Sequence, residues 1–304
     1  MTDERRHFSH SQFSGALGDA GCLRAWGYRY VEKIGTPVSG RLHVGTAWDR
    51  MTRRVIEARI DADREDWLTE CTEEEAESYV TESFDNPPKE NKDGVPLEYD
   101  FSDIDLDGTR DRLAYAARHY VSDVLPTIIP VSTQREIRLE LLPGVDLLGY
   151  VDLIERNVDG TLVVTDNKAS SSGRASYNTD KATVDQQLTF YQAALSKLDD
   201  TDQYLTRGWR IMDIGYKRTQ AKFTSIFVRE PDAKTAAKLA DATLKNAADQ
   251  ASVLLAVEKT GMFPPTGRGS WKCSERWCGY FDICEYGRRS RTAIPIITDT
   301  TEEE

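Results

Sequence analysis

The chain has 304 residues, of which 39% are hydrophobic and 30% are charged, so it is long enough to bury a substantial core. No stretch approaches the roughly 18 apolar residues that span a bilayer, and we expect no membrane partner. The start, Met1–His7, leads into no apolar signal core, so we expect a cytoplasmic protein. The sequence contains no phosphate-binding glycine loop and no Gly-x-Ser-x-Gly elbow, which argues against an ATPase and a serine hydrolase.

Acidic residues concentrate in one segment, residues 57–111, which holds 20 acidic and 5 basic side chains. Its balance of −15 exceeds the net charge of −12 of the whole chain. The remainder is therefore net positive and suits a phosphate backbone. We predict that the segment is a solvated helical insertion within a single domain, residues 1–304. It is also a candidate surface for a protein partner.

The first half of the chain is predicted to be helical. An aromatic-rich stretch from Cys22 to Tyr30 looks helical, and apolar residues recur at three and four positions from Gly45 to Ile56. Further helices are expected over residues 70–83 and 113–124.

The pattern changes to strands after residue 134. Strands are expected over residues 137–141, 147–154 and 162–165, and a turn signal at Asn157–Gly160 joins the last two as a hairpin. Helices over residues 183–198 and 231–261 follow, with strands over residues 211–218 and 222–228 between them.

The hairpin brings two acidic residues together. A turn at Asn157–Gly160 or at Asp159–Gly160 places Asp152 within roughly one residue of Asp166 across the strand pair. Strand alternation then points Asp166 and Lys168 to the same face. Mg²⁺ and Mn²⁺ prefer carboxylate oxygens, and such an ion acidifies its bound water and neutralises a scissile phosphate. An Asp-x-Lys triplet alone is common, however, and these residues could flank ordinary strands.

A third element follows on the next predicted helix. Gln187 and Tyr191 are four residues apart, so they share one helix face. An amide and a phenol there can bind a phosphate or stack on a base, although either side chain alone is more often a packing residue.

In this order, Gly149-x-x-Asp152, Asp166-x-Lys168 and the glutamine–tyrosine pair resemble the motifs of RecB-like nucleases in the PD-(D/E)XK superfamily. The resemblance implies an α/β fold with a restriction-endonuclease-like core, in which a mixed central β-sheet is flanked by helices. It also implies a role for each motif residue: Asp152, Asp166 and the backbone carbonyl of Asn167 would bind metal, Lys168 would assist the nucleophilic water, and Gln187 and Tyr191 would contact DNA.

One position departs from the family pattern. The family has a helix of the form Gly-x-x-x-His whose histidine binds metal, whereas this chain reads Gly45-x-x-x-Asp49. Aspartate is also a suitable ligand for a hard cation, so three carboxylates could form the site. His43 is a weaker candidate, because a lone histidine is more often structural.

Four of the five cysteines form a pattern of their own. Cys273, Cys278 and Cys284 lie within the C-terminal segment 271–286, and Cys22 lies near the N-terminus. Such a trio indicates metal binding, and four thiolates can hold a [4Fe–4S] cluster or Zn²⁺. The set resembles the iron–sulfur staple of AddB-type and CRISPR-adaptation nucleases, which implies a cluster that joins Cys22 to segment 271–286.

These observations predict a deoxyribonuclease that uses Mg²⁺ or Mn²⁺ and hydrolyses phosphodiester bonds. The resemblance favours an exonuclease on single-stranded DNA or free ends, in recombination, repair or phage DNA processing. The alternative is a weakened nuclease fold that acts as a DNA- or protein-binding module.

Overall fold

The computed structural model describes residues 5–19, 21–64, 70–90, 96–170, 177–201, 203–213, 221–266, 270–275 and 277–287. Its strands are β1 (Arg6–Phe8), β2 (Val38–Ser39), β3 (Tyr99–Asp100), β4 (Pro130–Leu142), β5 (Val145–Arg156), β6 (Leu162–Ser170), β7 (Tyr204–Asp213) and β8 (Lys222–Arg229). Its helices are α1 (His10–Leu17), α2 (Leu23–Trp26), α3 (Gly40–Arg64), α4 (Glu73–Asp85), α5 (Leu106–His119), α6 (Thr179–Val184), α7 (Gln186–Leu198) and α8 (Ala233–Thr260). Within these ranges, each helix is too short or too polar to cross a membrane.

The chain forms two compact units. We call residues 1–10 and 37–253 the sheet unit, and residues 11–36 and 254–304 the terminal unit. All eight described strands belong to the sheet unit. The assignment of residues 1–304 to one domain stays a prediction.

A mixed six-stranded sheet organises the sheet unit. Its order is β1-β5-β6-β7-β8, and β4 pairs with β5 as well. β1 and β5 are parallel, as are β6 and β7, whereas the other pairs are antiparallel. The predicted mixed sheet flanked by helices is confirmed.

Helices cover both faces of this sheet. Met212 and Ile211 are neighbours on β7, so they point to opposite faces. Met212 packs in a core with buried residues of α3, α4 and α5, whereas Ile211 packs with Ala182 of α6 and Leu188 of α7. The carboxylates described below therefore lie in a sheet that is covered on both sides.

Helix α3 shows why the first face is well packed. Its apolar residues recur at helical spacing, and Ala47, Trp48, Met51 and Val55 are at most 1% exposed. Full burial stabilises each large apolar side chain by roughly 1.5–3 kcal/mol. This stripe fixes α3 against the sheet.

The acidic segment is partly integrated into that core. Within this segment, a capping box of Thr72 and Glu75 marks the start of α4. Helix α4 corresponds to the helix predicted over residues 70–83. Val80 and Phe84 of α4 are buried in the same core as α3. Residues 65–69 and 91–95 of the segment lie outside the described residues.

Two boundaries differ from the sequence prediction. Strand β7 begins at Tyr204, seven residues before the predicted start, and the predicted end at residue 218 lies outside the described residues. Arg207 hides the strand pattern, because its guanidinium is buried and bonds to Gln192 and Glu230. The predicted helix 183–198 is interrupted at Asp185, whose side chain caps α7.

Candidate functional site

The sheet forks along β5. This strand pairs with β1 through Val145–Leu147 and with β6 through Leu153–Arg156. Both partners lie on the same edge of β5, so the intervening residues of β5, which include Asp152, lie at the mouth of the fork. Side chains from other elements can therefore approach Asp152 from this edge of β5.

The hairpin register brings Asp152 and Asp166 together. Leu153 pairs with Thr165, so the next position along the two strands opposes Asp152 and Asp166. The Asp152 carboxylate accepts a hydrogen bond of 3.1 Å from the backbone N–H of Asn167. The predicted proximity of the two carboxylates is thus observed.

Lys168 lies on the same face of β6 as Asp166. Its Nζ atom is 2.6 Å from Oδ2 of Asp166, whose side chain is almost fully buried. Burial acts to lower the pKa of Lys168, but attraction to Asp166 and Asp152 outweighs it and raises that pKa. The ammonium therefore stays charged at neutral pH, while about a third of the side chain remains exposed.

Asp49 of α3 completes a group of three acidic side chains. Burial raises the pKa of Asp152 well above its ordinary value, and the charges of Asp166 and Asp49 raise it further. This mutual repulsion is the electrostatic situation that a bound cation relieves. The three oxygen-donor side chains suit a hard cation such as Mg²⁺ or Mn²⁺.

The ligand arrangement itself is not formed. Among the residues that the structure describes, no group of three or more His, Cys, Asp or Glu side chains is set to hold a metal ion. The donor chemistry therefore fits a divalent cation, whereas the coordination sphere would have to assemble around it.

The predicted pair on α7 reaches the same place. Nε2 of Gln187 donates to Oη of Tyr191 at 3.4 Å, and burial raises the pKa of that phenol. The Tyr191 ring lies over Gly149, where an added Cβ would meet its Cε1 atom at 2.7 Å. The glycine of the Gly149-x-x-Asp152 motif therefore makes room for the tyrosine of the last motif.

His43 occupies a different environment. Its Nε2 atom is 2.9 Å from the backbone oxygen of Ser83, and its ring packs edge-on against Phe84, Tyr99 and Phe101. Burial lowers its pKa. These contacts favour the structural interpretation of His43 over the metal ligand.

Sequence reasoning missed His10. This residue follows β1 at the fork, and its ring packs edge-on against Phe190 of α7 at a centroid distance of 5.9 Å. Burial lowers its pKa, and its charged neighbours include Lys168 and Asp166. The sequence did not indicate this position, because His10 is far along the chain from Asp166 and Lys168. The parallel pairing of β1 with β5 brings His10 to the fork.

A buried ion pair beneath the site was missed as well. Both guanidinium Nη atoms of Arg210 on β7 lie 3.2 Å from the carboxylate of Glu155 on β5. Thr165 of β6 donates to the same carboxylate. The two motif strands, β5 and β6, are therefore tied to β7 by one hydrogen-bonded group.

The terminal unit holds a second cluster. Cys22, Cys273, Cys278 and Cys284 all line one cavity of about 310 Å³. Burial raises the pKa of Cys278, and the other three cysteines act to raise it further. The predicted association of Cys22 with the C-terminal trio is thus observed.

Aromatic contacts surround this cysteine cavity. The rings of Tyr28 and Tyr280 lie 5.3 Å apart, and Tyr280 donates to the backbone oxygen of Ile34 at 3.1 Å. The backbone N–H of Thr266 points to the sulfur of Cys22 at 3.4 Å. The cavity is therefore held by packing from both ends of the terminal unit.

Comparison with known families decides the identity of the fold. The family model described as the PD-(D/E)XK nuclease superfamily matches residues 7–285, which is most of the chain. The chain belongs to the PD-(D/E)XK nuclease superfamily. Members of this superfamily are typically nucleases that hydrolyse phosphodiester bonds, and they generally use Mg²⁺ or Mn²⁺.

Two further comparisons add less to this PD-(D/E)XK assignment. No curated protein matches the chain in sequence. A solved structure titled "Crystal structure of SSO0001" is 17% identical, and the match covers 87% of this chain and 94% of that chain with a TM-score of 0.28. The superfamily assignment therefore rests on the family match.

Proposed function

We propose that this PD-(D/E)XK protein is a RecB-like deoxyribonuclease that uses Mg²⁺ or Mn²⁺ and degrades single-stranded DNA from its ends. The observation that carries the proposal is the meeting of Asp152 and Asp166 across the hairpin, with Lys168 paired to Asp166 at 2.6 Å. Recombination, repair or phage DNA processing is the proposed setting.

Three carboxylates would hold the cation. Asp152 and Asp166 lie at the fork, and Asp49 contributes charge from α3. The backbone carbonyl of Asn167, between Asp166 and Lys168, would be a further oxygen ligand. A divalent cation in this place acidifies a water molecule and neutralises charge on the scissile phosphate.

Lys168 would position the attacking water. Its ammonium is charged and is held by Asp166, and about a third of the side chain is exposed. A fixed positive group beside a developing phosphorane charge stabilises the transition state. Lys168 therefore contributes mainly orientation and electrostatic stabilisation rather than the uptake of a proton.

Gln187 and Tyr191 would bind the DNA strand. Their side chains are joined by a hydrogen bond at the fork, and their positions are fixed by α7 and by Gly149. The amide suits a phosphate oxygen, whereas the phenol suits a phosphate or a base face. Single-stranded DNA as the substrate follows the resemblance to RecB-like exonucleases.

The four cysteines of the terminal unit would hold a [4Fe–4S] cluster. The donor chemistry fits, because four cysteines line one cavity, although among the described residues they do not form a group set to hold a metal ion. Four thiolates can also bind Zn²⁺, and the resemblance to the iron–sulfur staple of AddB-type nucleases is what favours the cluster over zinc. Its proposed role is to join Cys22 to the C-terminal segment.

The decisive experiment follows DNA degradation. Anaerobically purified protein with Mn²⁺ receives linear single-stranded DNA labelled at either end, or the same DNA as a circle. We expect the linear DNA to be degraded and the circle to persist. Lys168→Ala should lower the rate by about 10²–10⁴-fold, because it removes a group that positions the nucleophile.

A matched variant controls for charge and folding. Lys245→Ala removes a lysine that is 77% exposed on α8 and should cleave at the wild-type rate. Wild-type cleavage by Lys168→Ala would remove the assigned site, and cutting of the circle would replace the exonuclease by an endonuclease. If metal-loaded wild-type protein binds DNA without cleaving it, the chain is the binding module instead.

A further inference from the structure

Gln134 has an unusual backbone for a strand residue. It lies within β4 but has a φ of +48°, in the left-handed region that residues with a Cβ rarely adopt. Its neighbours keep the regular register, because Thr133 pairs with Leu153 and Arg135 pairs with Val151. Gln134 is therefore the residue of β4 that stands opposite Asp152.

Gln134 and its neighbour Thr133 each contact an acidic residue of the site. Nε2 of Gln134 donates to Oδ1 of Asp49 at 3.1 Å. The hydroxyl of Thr133 donates to the backbone oxygen of Asp152 at 2.6 Å. The same two residues of β4 thus contact one acidic residue on α3 and another on β5.

Strain of this kind persists where the surroundings impose it, and it concentrates at functional sites. The register on both sides of Gln134 is intact, so within β4 the left-handed backbone is confined to this residue. This backbone conformation accompanies a side-chain contact with Asp49. Gln134 stands opposite Asp152 on β5 and bonds to Asp49 on α3, so the contact lies at the acidic site.

We propose that Gln134 is a positioning residue that holds the Asp49 carboxylate toward Asp152 and so sets the affinity of the site for a divalent cation. The inference deepens the proposed nuclease function and rests on it. It also gives this chain a reason to use aspartate at position 49, since a neutral amide donor orients a carboxylate without neutralising it. Groups of this kind behind a ligand typically change metal affinity by about 10–100-fold when they are removed.

Gln134→Gly tests the proposal directly. Glycine accepts the left-handed backbone and lacks the amide, so the melting temperature of the metal-free protein should stay at or above the wild-type value. The dissociation constant for Mn²⁺, measured by titration calorimetry and by electron paramagnetic resonance, should rise about 10-fold. DNA is absent from this measurement, so the readout is independent of cleavage.

Asp200→Gly is the matched control. Asp200 has a φ of +47°, so glycine relieves the same backbone conformation at a position between α7 and β7. We expect its Mn²⁺ affinity to equal that of the wild type. An equal loss in both glycine variants would mean that backbone flexibility, rather than the amide, is responsible, and would overturn the proposal.

A double-mutant cycle with Asp49→Asn tests whether Gln134 acts on the cation through Asp49. If Gln134 acts through Asp49, Gln134→Gly should change the Mn²⁺ affinity by less than twofold once Asp49 has lost its charge. A full additional loss in that background would overturn the proposal.

The outcomes also separate this inference from the nuclease assignment. Wild-type protein that binds Mn²⁺ and cleaves DNA, with unchanged affinity in Gln134→Gly, refutes the role of Gln134 alone. Wild-type protein that binds no Mn²⁺ refutes both.

Discussion

The sheet unit and the terminal unit each gather chemical groups that repel one another when they ionise, but they differ in how the repulsion is balanced. In the sheet unit, Lys168 offsets the charge of Asp166, and Arg210 offsets that of Glu155. In the terminal unit, four cysteines line one cavity. Burial raises the pKa of Cys278, and the other three cysteines act to raise it further. The sheet unit thus balances its charges with its own side chains, whereas in the terminal unit the raised pKa of Cys278 favours the uncharged thiol.

The comparison also separates two kinds of donor. Carboxylate oxygens suit hard cations that exchange readily, whereas thiolates hold soft metals tightly. If the proposed function is right, removal of the divalent cation should affect activity in the sheet unit, and removal of the cluster should affect folding in the terminal unit. Substitutions in each unit can test that difference.

The largest effect is expected at the cysteines. Cys284→Ser should remove bound iron and lower the melting temperature by about 10 °C or more, since metal binding and folding of such a unit are coupled. Iron and sulfide analysis together with calorimetry would measure both. Cys71→Ala is the control, because Cys71 is buried in the α3–α5 core. Full iron content in Cys284→Ser would refute the cluster, and zinc without iron would replace it.

A smaller loss is expected at the internal ion pair of the sheet unit. Arg210→Met leaves the buried Glu155 carboxylate without its guanidinium and should cost about 3–5 kcal/mol in urea unfolding. Arg229→Met breaks an exposed pair between β8 and Asp159 in the turn that joins β5 to β6, and should cost at most about 1 kcal/mol. Equal costs in the two variants would show that the strands do not depend on an internal counter-charge.

The smallest effect is expected at Gly149, the glycine of the Gly149-x-x-Asp152 motif. Gly149→Ala places a Cβ against the Tyr191 ring and should cost about 1–3 kcal/mol while weakening the binding of single-stranded DNA. Gly45→Ala in α3 meets no neighbour and should be neutral or stabilising by up to about 1 kcal/mol. Fluorescence anisotropy would measure DNA affinity, and unaltered affinity in Gly149→Ala would argue against Tyr191 as a DNA contact.

Much of the acidic site could be predicted from the sequence, because it depends on local rules. The turn signal at Asn157–Gly160 fixes the hairpin, strand alternation fixes the faces of Asp166 and Lys168, and helical spacing pairs Gln187 with Tyr191. Each relation spans only a short stretch of chain. The mixed sheet, by contrast, was implied by the resemblance to RecB-like nucleases rather than by these local rules.

The remaining features depend on long-range contacts and on backbone conformations that residue type does not reveal. His10 reaches the fork through the pairing of β1 with β5. Gln134 adopts a left-handed backbone that glutamine rarely takes, and the early start of β7 is hidden by the buried polar side chain of Arg207. In each case a tertiary contact outweighs the local preference.

The hairpin between β5 and β6 acts as a spacer between the two acidic strands. Arg156 pairs with Leu162, and Val158 at the tip is fully exposed. The side chain at position 158 can therefore vary with little effect on the fork, whereas Gly160 has a φ of +84° that favours glycine. The number of residues cannot vary, because a single insertion that shifted the register would turn Asp166 and Lys168 to the opposite face of the sheet. Active variants of this protein should therefore tolerate substitutions at Val158 but not insertions in the turn.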